Sequence, residues 1–239
     1  MPNNKNVIFN CIAKDVENAK EIVQVAGNRV LIGIMVKSFP DTQSAVDEVT
    51  LYQEQNIPVS VGLGAGDPAV WKQVADVSAA TLPKHINQVF PASAYTLGRL
   101  EEAGAANTII NALVKPSGIP GQVIIATGPD SSRFEETVSA DLAAVMLAEM
   151  GVDSVKFYPI EGDKRLEEVA AMAKAAADAG IKYFEPTGGI TVENVDVIVK
   201  TCLESGAETV IPHLYTSLVD RDTGETKIEY MKKLIAMEW

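Results

Sequence analysis

Along this chain, short runs of β-branched and other apolar residues alternate with longer stretches in which apolar positions recur every three or four residues. The short runs predict strands at residues 7–13, 30–36, 59–63, 85–90, 107–114, 122–127, 154–158, 182–185 and 209–213. The longer stretches predict helices at 16–26, 41–55, 68–79, 93–103, 139–150, 166–179 and 192–205. Strands alternating with helices of this length imply βαβ units and parallel pairing. There is one strand more than an eight-stranded barrel takes. The connection Lys115-Pro116-Ser117-Gly118-Ile119-Pro120-Gly121 is turn material rather than a helix, so one of the two strands it joins is read as an extra hairpin strand near residues 107–127. The pattern therefore predicts an α/β fold, one (β/α)8 (TIM) barrel domain over residues 1–239. An open doubly wound sheet competes with it, but the Gly-rich turn expected after that fold's first strand is missing.

Composition narrows the class. A length of 239 residues suits a single barrel, and the apolar share of 47% supplies a large core. The formal net charge of −12 argues against nucleic-acid binding, which depends on Lys and Arg neutralising phosphates. A small anionic substrate stays compatible, because a pocket can be locally positive in an acidic protein. Cys11 and Cys202 are too far apart in sequence to form a small disulfide framework. The stretch Met1 to Asn10 has no basic region followed by an apolar run, and no segment is long enough to cross a bilayer. The expectation is a protein of the reducing cytoplasm with no membrane contact.

In a barrel, the site lies at the C-terminal ends of the strands. Lys156 stands in the middle of Ser154-Val155-Lys156-Phe157-Tyr158-Pro159, and alternation turns Ser154, Lys156 and Tyr158 toward the barrel interior. Desolvation there lowers the pKa of an ammonium, and a free amine can attack a ketone to give an iminium that accepts electrons. Strand position alone leaves a second reading open, a structural lysine paired with Glu185 or another carboxylate.

Glu185-Pro186-Thr187-Gly188-Gly189-Ile190-Thr191 runs from a strand into a helix expected to begin near Thr191. Two glycines let the backbone approach a ligand closely, and phosphate sites in barrels commonly occupy the loops after strands seven and eight. Thr187, Gly188 and Gly189 are therefore candidate substrate-binding residues. Thr216 and Ser217, after the eighth strand, offer hydroxyl donors to the same anion. Asn87 and His213 are further polar candidates at strand ends. The run Gly62-Leu63-Gly64-Ala65-Gly66 reads as a tight strand–helix turn, with Asp67 as helix cap and Pro68 at the first helical position.

Val155-Lys156-Phe157-Tyr158-Pro159, followed some thirty residues later by Pro186-Thr187-Gly188-Gly189-Ile190, resembles the 2-keto-3-deoxy-6-phosphogluconate aldolases. Ser60-Val61-Gly62-Leu63-Gly64-Ala65-Gly66-Asp67-Pro68, His85-Ile86-Asn87-Gln88-Val89-Phe90 and Ile211-Pro212-His213-Leu214-Tyr215 extend the resemblance over nearly the whole chain. They resemble a branch associated with glucosaminate breakdown and sometimes labelled 4-hydroxy-2-oxoglutarate aldolases. The resemblance implies a class I aldolase on a (β/α)8 barrel, with Lys156 forming the Schiff base and the Gly188-Gly189 turn helping to bind phosphate. It also implies a glutamate base in the second strand, four residues before an arginine that holds the substrate carboxylate. This chain has Gly33 and Lys37 at those places. Lys37 can meet a carboxylate as a point charge, without the fork of arginine.

The general base is therefore sought elsewhere. Glu185 is the first candidate, His85 the second, and His213 completes the set, since histidine suits proton transfer near neutral pH. Both histidines are expected at late strand positions on the site face. Two histidines and several carboxylates could hold a divalent ion, but no closely spaced ligand pair such as H-x-x-x-H or C-x-x-C is present, so metal is the lesser reading and no cofactor is expected. The expected partner is a small phosphorylated 2-keto acid, with self-association into a homo-oligomer for which residues 230–239 offer an apolar contact. Two other functions compete on the same barrel: a sugar-phosphate isomerase or epimerase, and a non-catalytic barrel that binds a phosphorylated metabolite.

Overall fold

The structure, a computed structural model, describes residues 6–125 and 127–239. Numbered in chain order, the strands are β1 (Phe9–Cys11), β2 (Val30–Met35), β3 (Val59–Gly62), β4 (His85–Val89), β5 (Ile109–Pro116), β6 (Gln122–Ile125), β7 (Thr137–Ser139), β8 (Ser154–Phe157), β9 (Tyr183–Pro186) and β10 (Thr209–Val210). The helices are α1 (Val16–Ala26), α2 (Thr42–Glu54), α3 (Trp71–Thr81), α4 (Phe90–Glu102), α5 (Ala140–Glu149), α6 (Leu166–Asp178), α7 (Val195–Glu204) and α8 (Ile228–Ala236). The parallel order is β1-β2-β3-β4-β5-β8-β9-β10. Backbone bonds close it into a barrel: Ile8 N–H donates to Val210 at 3.0 Å, Asn10 N–H to Pro212 at 3.0 Å, and Leu214 N–H to Asn10 at 2.9 Å.

The fold is the expected single barrel with its hairpin extension. Of the two strands in question, the earlier one is the barrel strand β5, and β6 folds back antiparallel on its end. A short strand absent from the sequence reading, β7, pairs antiparallel with β6. The strand expected over 122–127 is described as far as Ile125, because residue 126 lies outside the described residues. The amino-terminal stretch is likewise described only from residue 6.

Local chemistry sets where elements begin. Asp15, Asp41 and Ser139 accept hydrogen bonds from the first-turn amides of Asn18, Ser44 and Leu142, capping α1, α2 and α5. Asp67 accepts from Ala69 N at 3.0 Å, but it caps a 3₁₀ turn, Pro68–Val70, that leads into α3. The helix expected near Thr191 begins four residues later. Asn194 folds back, accepting from Thr191 N at 2.8 Å and donating to Gly189 O at 3.0 Å, which holds this segment as a turn before α7. The strand expected over 209–213 shortens to two residues, since Pro212 has no N–H to give the ladder. The apolar stretch 230–239 lies largely in α8. Met231 and Leu234 are fully buried in the chain's own core.

Outward-facing strand residues such as Phe9, Ile32, Ile86, Val155, Phe157 and Phe184 build the layer beneath the helices, all of them buried. The inward positions carry a different chemistry. Asn10, Ser60, His85, Asn87, Asn111, Ser154 and Glu185 are all buried there. Polar groups survive in a barrel interior only when hydrogen-bonded, and here each is bonded to its neighbours. Strand register sets Lys156 beside Glu185 on adjacent parallel strands, so their side chains share the interior.

Candidate active site

A cavity of about 520 Å³ opens at the C-terminal ends of the strands. Lys156, Asn87, His213 and Tyr215 line it together with Thr187, the Gly188-Gly189 turn and Ser217; the Gly62–Gly66 loop lines it as well. This volume suits a small metabolite.

Lys156 is half-buried. Its Nζ donates to Asn87 Oδ1 at 3.0 Å and lies 3.4 Å from His213 Nδ1. Burial lowers its pKa from 10.5 to about 8, with the nearby Glu185 carboxylate opposing the shift. The amine thus sits close to the pH range in which it loses its proton.

Below the cavity, Glu185 is the centre of the network. His85 Nε2 at 2.9 Å and Ser154 Oγ meet one carboxylate oxygen, and Asn111 Nδ2 at 2.8 Å and His213 Nε2 at 2.7 Å meet the other. Burial pushes this carboxyl's pKa up, but the attraction and hydrogen bonds of His85 and His213 outweigh it and hold Glu185 well below the usual carboxylate range. An ionised carboxylate has about four acceptor directions, and four donors fill them. His213 has its pKa lowered to about 3 by burial and by the charge of Lys156. With Nε2–H turned to Glu185, the Nδ1 lone pair faces Lys156. Ser60 Oγ accepts from Asn10 Nδ2 at 3.0 Å and Asn87 Nδ2 at 2.9 Å, so its own proton is directed to His85 Nδ1 at 2.8 Å. This leaves His85 Nε2 to donate to Glu185.

The Gly188-Gly189 turn has two demands on it. Both residues have positive φ, at 103° and 71°. A Cβ on Gly189 would also stand 2.6 Å from Gly162 N. The amides of Gly188, Gly189, Thr216 and Ser217 meet no protein acceptor among the described residues. Ser217 Oγ is buried without a hydrogen-bond partner beside the same cavity. Such an arrangement is short of an acceptor, which an anion would supply.

The structure brings Lys156, Asn87, Thr187, Gly188, Gly189, His213 and Ser217 to one cavity. Glu185 and His85 lie beneath its floor and reach Lys156 through His213 and through Asn87, which Asn111 and Ser60 link to them. His85 is the first residue of β4, not a late one, which corrects its expected position on the site face. Lys37 is on a 3₁₀ turn after β2, outside the cavity lining, and its Nζ binds Asp67 at 2.6 Å. Asn10, Ser60 and Ser154 were not singled out as site residues by the sequence reading. Their signal was a polar residue at an inward position of an otherwise apolar strand. Among the described residues, no three His, Cys, Asp or Glu side chains group as metal ligands.

A closed parallel barrel with its cavity at the C-terminal face defines the class of (β/α)8 enzymes. The model of the KDGP aldolase family matches residues 3–222, and the chain belongs to that family. It is 41% identical, over 97% of its length and 94% of the other's, to a 2-dehydro-3-deoxy-phosphogluconate aldolase of Salmonella typhimurium. The protein is thus an aldolase, a carbon–carbon lyase. Its fold is similar to that of N-(5'-phosphoribosyl)anthranilate isomerase from Pyrococcus furiosus, with a TM-score of 0.60 and 13% identity covering 96% of each chain. It is similar also to KGPDC from Streptococcus mutans, with a TM-score of 0.60 and 12% identity, covering 96% of this chain and 97% of that one. Likeness at this identity concerns the fold alone. No helix among the described residues is long and apolar enough to cross a membrane.

Proposed function

We propose that the chain is a class I aldolase that cleaves 2-keto-3-deoxy-6-phosphogluconate to pyruvate and glyceraldehyde 3-phosphate, or cleaves the related 4-hydroxy-2-oxoglutarate. The observation that carries this reading is the state of Lys156. Its amine has a pKa near 8 and stands at the cavity between Asn87 and the lone pair of a neutral histidine.

In this reaction the free Lys156 amine attacks the C2 ketone. The carbinolamine loses the ketone oxygen as water, leaving an iminium. The C4 hydroxyl then loses its proton while the C3–C4 bond breaks. That bond's electrons pass to the iminium and give an enamine, and C4 leaves as the aldehyde. Protonation at C3 and hydrolysis release pyruvate and restore Lys156. The protein supplies the electron sink itself, so no cofactor enters.

His213 is the proton-accepting side chain that meets the Lys156 amine, at 3.4 Å. Its Nδ1 takes protons from the lysine and the substrate, while Glu185 stabilises the imidazolium through Nε2. In this reading Glu185 and His85 are positioning residues rather than groups that touch substrate. Asn87 orients the amine. The amides of Gly188 and Gly189, with Thr187 and Ser217, receive the phosphate. Lys37, outside the lining with its charge matched by Asp67, has no part in this set.

A reduced, cytoplasmic setting suits Cys11 and Cys202, both free and buried. Self-association is part of the proposal. Leu142, Val145 and Met146 stay exposed along one face of α5, and sedimentation would give the assembly size. Function is tested by coupling to lactate dehydrogenase. Stoichiometric pyruvate from 2-keto-3-deoxy-6-phosphogluconate is expected. Turnover of sugar phosphates without pyruvate, or tight binding without turnover, would overturn the reading.

A further inference from the structure

Gly33 is an inward-facing residue in the middle of β2, and a side chain there would have to displace the Tyr215 tip that it faces. A methyl group on its Cα would stand 2.6 Å from the Tyr215 hydroxyl oxygen and 3.0 Å from Tyr215 Cζ. Its φ is not positive, so local backbone geometry does not require glycine. The glycine makes room for the tip of the tyrosine. That tip is held in place: the hydroxyl donates to Asn10 Oδ1 at 3.2 Å, and Asn10 is in turn tied to Ser60 at 3.0 Å. The Tyr215 ring lies beside the His213 ring, with centroids 5.6 Å apart. Tyr215 also lines the cavity. A half-buried phenol, fixed by a network and given space by a missing side chain, has an unexplained role.

We propose that the Tyr215 hydroxyl is a catalytic group of the aldolase, donating a hydrogen bond to the C4 oxygen of the substrate as the C3–C4 bond breaks. This inference rests on the Schiff-base reading above. The order of residues along one segment supports it. His213 touches the lysine that would hold C2, and Ser217 has its unpartnered hydroxyl at the proposed phosphate end, which is C6. Tyr215 stands between them in the chain, as C4 stands between C2 and C6 in the substrate. Burial raises the phenol's pKa, so it remains a protonated donor through the neutral range.

In the step itself, the C4 hydroxyl proton passes to His213 Nδ1. The electrons of that O–H bond form the aldehyde carbonyl, and the C3–C4 pair is taken up by the iminium. Tyr215 keeps its own proton throughout. It turns that proton from Asn10 Oδ1 to an oxygen gaining negative charge, where a hydrogen bond is stronger.

Two reactions separate this role from a structural one. Cleavage of 2-keto-3-deoxy-6-phosphogluconate involves a C4 oxygen. Exchange of the methyl protons of pyruvate with deuterium, followed by NMR, needs the Schiff base and enamine but has no C4 oxygen. In Tyr215→Phe, cleavage should fall about 100-fold or more, while exchange and borohydride trapping of pyruvate stay within about threefold of the wild type. Gly33→Ala, which displaces the hydroxyl but keeps the phenol, should give the same split, with melting curves checking that both variants fold. Cleavage by Tyr215→Phe within about threefold of the wild type would overturn the proposal. So would a parallel loss of cleavage and exchange, which would make Tyr215 a support for Lys156. If the wild type itself shows neither adduct nor exchange, the Schiff-base reading fails first and the proposal falls with it.

Discussion

Replacing Glu185 with Gln should damage stability and shift the titration of the active lysine in one stroke. The carboxylate is fully buried and accepts from His85, Ser154, Asn111 and His213. A glutamine of the same shape offers one acceptor oxygen and one NH₂ group, so whichever way it is flipped, two donors face its NH₂. The Ser154 hydroxyl can rotate to accept. For the His85 side to accept as well, the proton must move to Nδ1, where Ser60 already accepts from two amides. Donor–donor conflict therefore spreads through the network. Each unsatisfied buried group costs about 1–3 kcal/mol, and breaking a buried charged network costs about 3–5 kcal/mol in all. In a chain of this length each kcal/mol lowers Tm by about 2–4 °C, so a fall of roughly 6–20 °C is expected by calorimetry. The acid limb adds a sign. Because the folded pKa of Glu185 is depressed, its stabilisation is full above the unfolded value near 4.3 and is lost as pH falls toward the folded one. The variant should therefore lose less stability than the wild type on acidification. Without the carboxylate's opposing pull, the Lys156 midpoint should also move below 8. An unchanged Tm together with an unchanged lysine midpoint would refute this reasoning.

Two further outcomes follow from the cavity. The rate of Schiff-base formation with pyruvate should rise with pH with a midpoint near 8 and level off about one unit above it; at pH 7 about a tenth of the lysine is free amine, against about one part in three thousand for an ordinary lysine. A rate still climbing steeply above pH 9.5 would contradict the desolvated amine. Ser217→Ala removes a buried hydroxyl with no protein partner, so it should leave Tm unchanged or slightly higher. It should also raise KM for the phosphorylated substrate about tenfold or more, since a hydrogen bond to a charged group contributes about 1.5–3 kcal/mol.

What could be read from the sequence followed from local periodicity. Alternation in Ser154–Phe157 turned Lys156 inward, and the 3.6-residue period placed the helix at residues 16–26, the bounds of α1. The Gly-Gly turn was also visible, because glycine pairs mark backbone that no side chain can follow. Relations between distant segments were not legible. Gly33 and Tyr215 are far apart in sequence, and only the closed barrel brings one over the other. The strand expected from residue 85 does begin there, and the first residue of a strand lies at the end away from the site face, so His85 is beneath the floor although its strand was legible. Lys37 left the expected position because β2 ends at Met35 and turns, letting its ammonium find Asp67. The amphipathic stripe of α8 was read as a contact between chains, since sequence alone does not say which surface an apolar stripe covers.

The most direct test of Lys156 as the nucleophile is borohydride reduction in the presence of pyruvate, with the modified residue located by peptide mass spectrometry. A single reduced pyruvyl adduct on Lys156, absent from Lys156→Arg, is the predicted result. No adduct, or an adduct on another lysine, would contradict it.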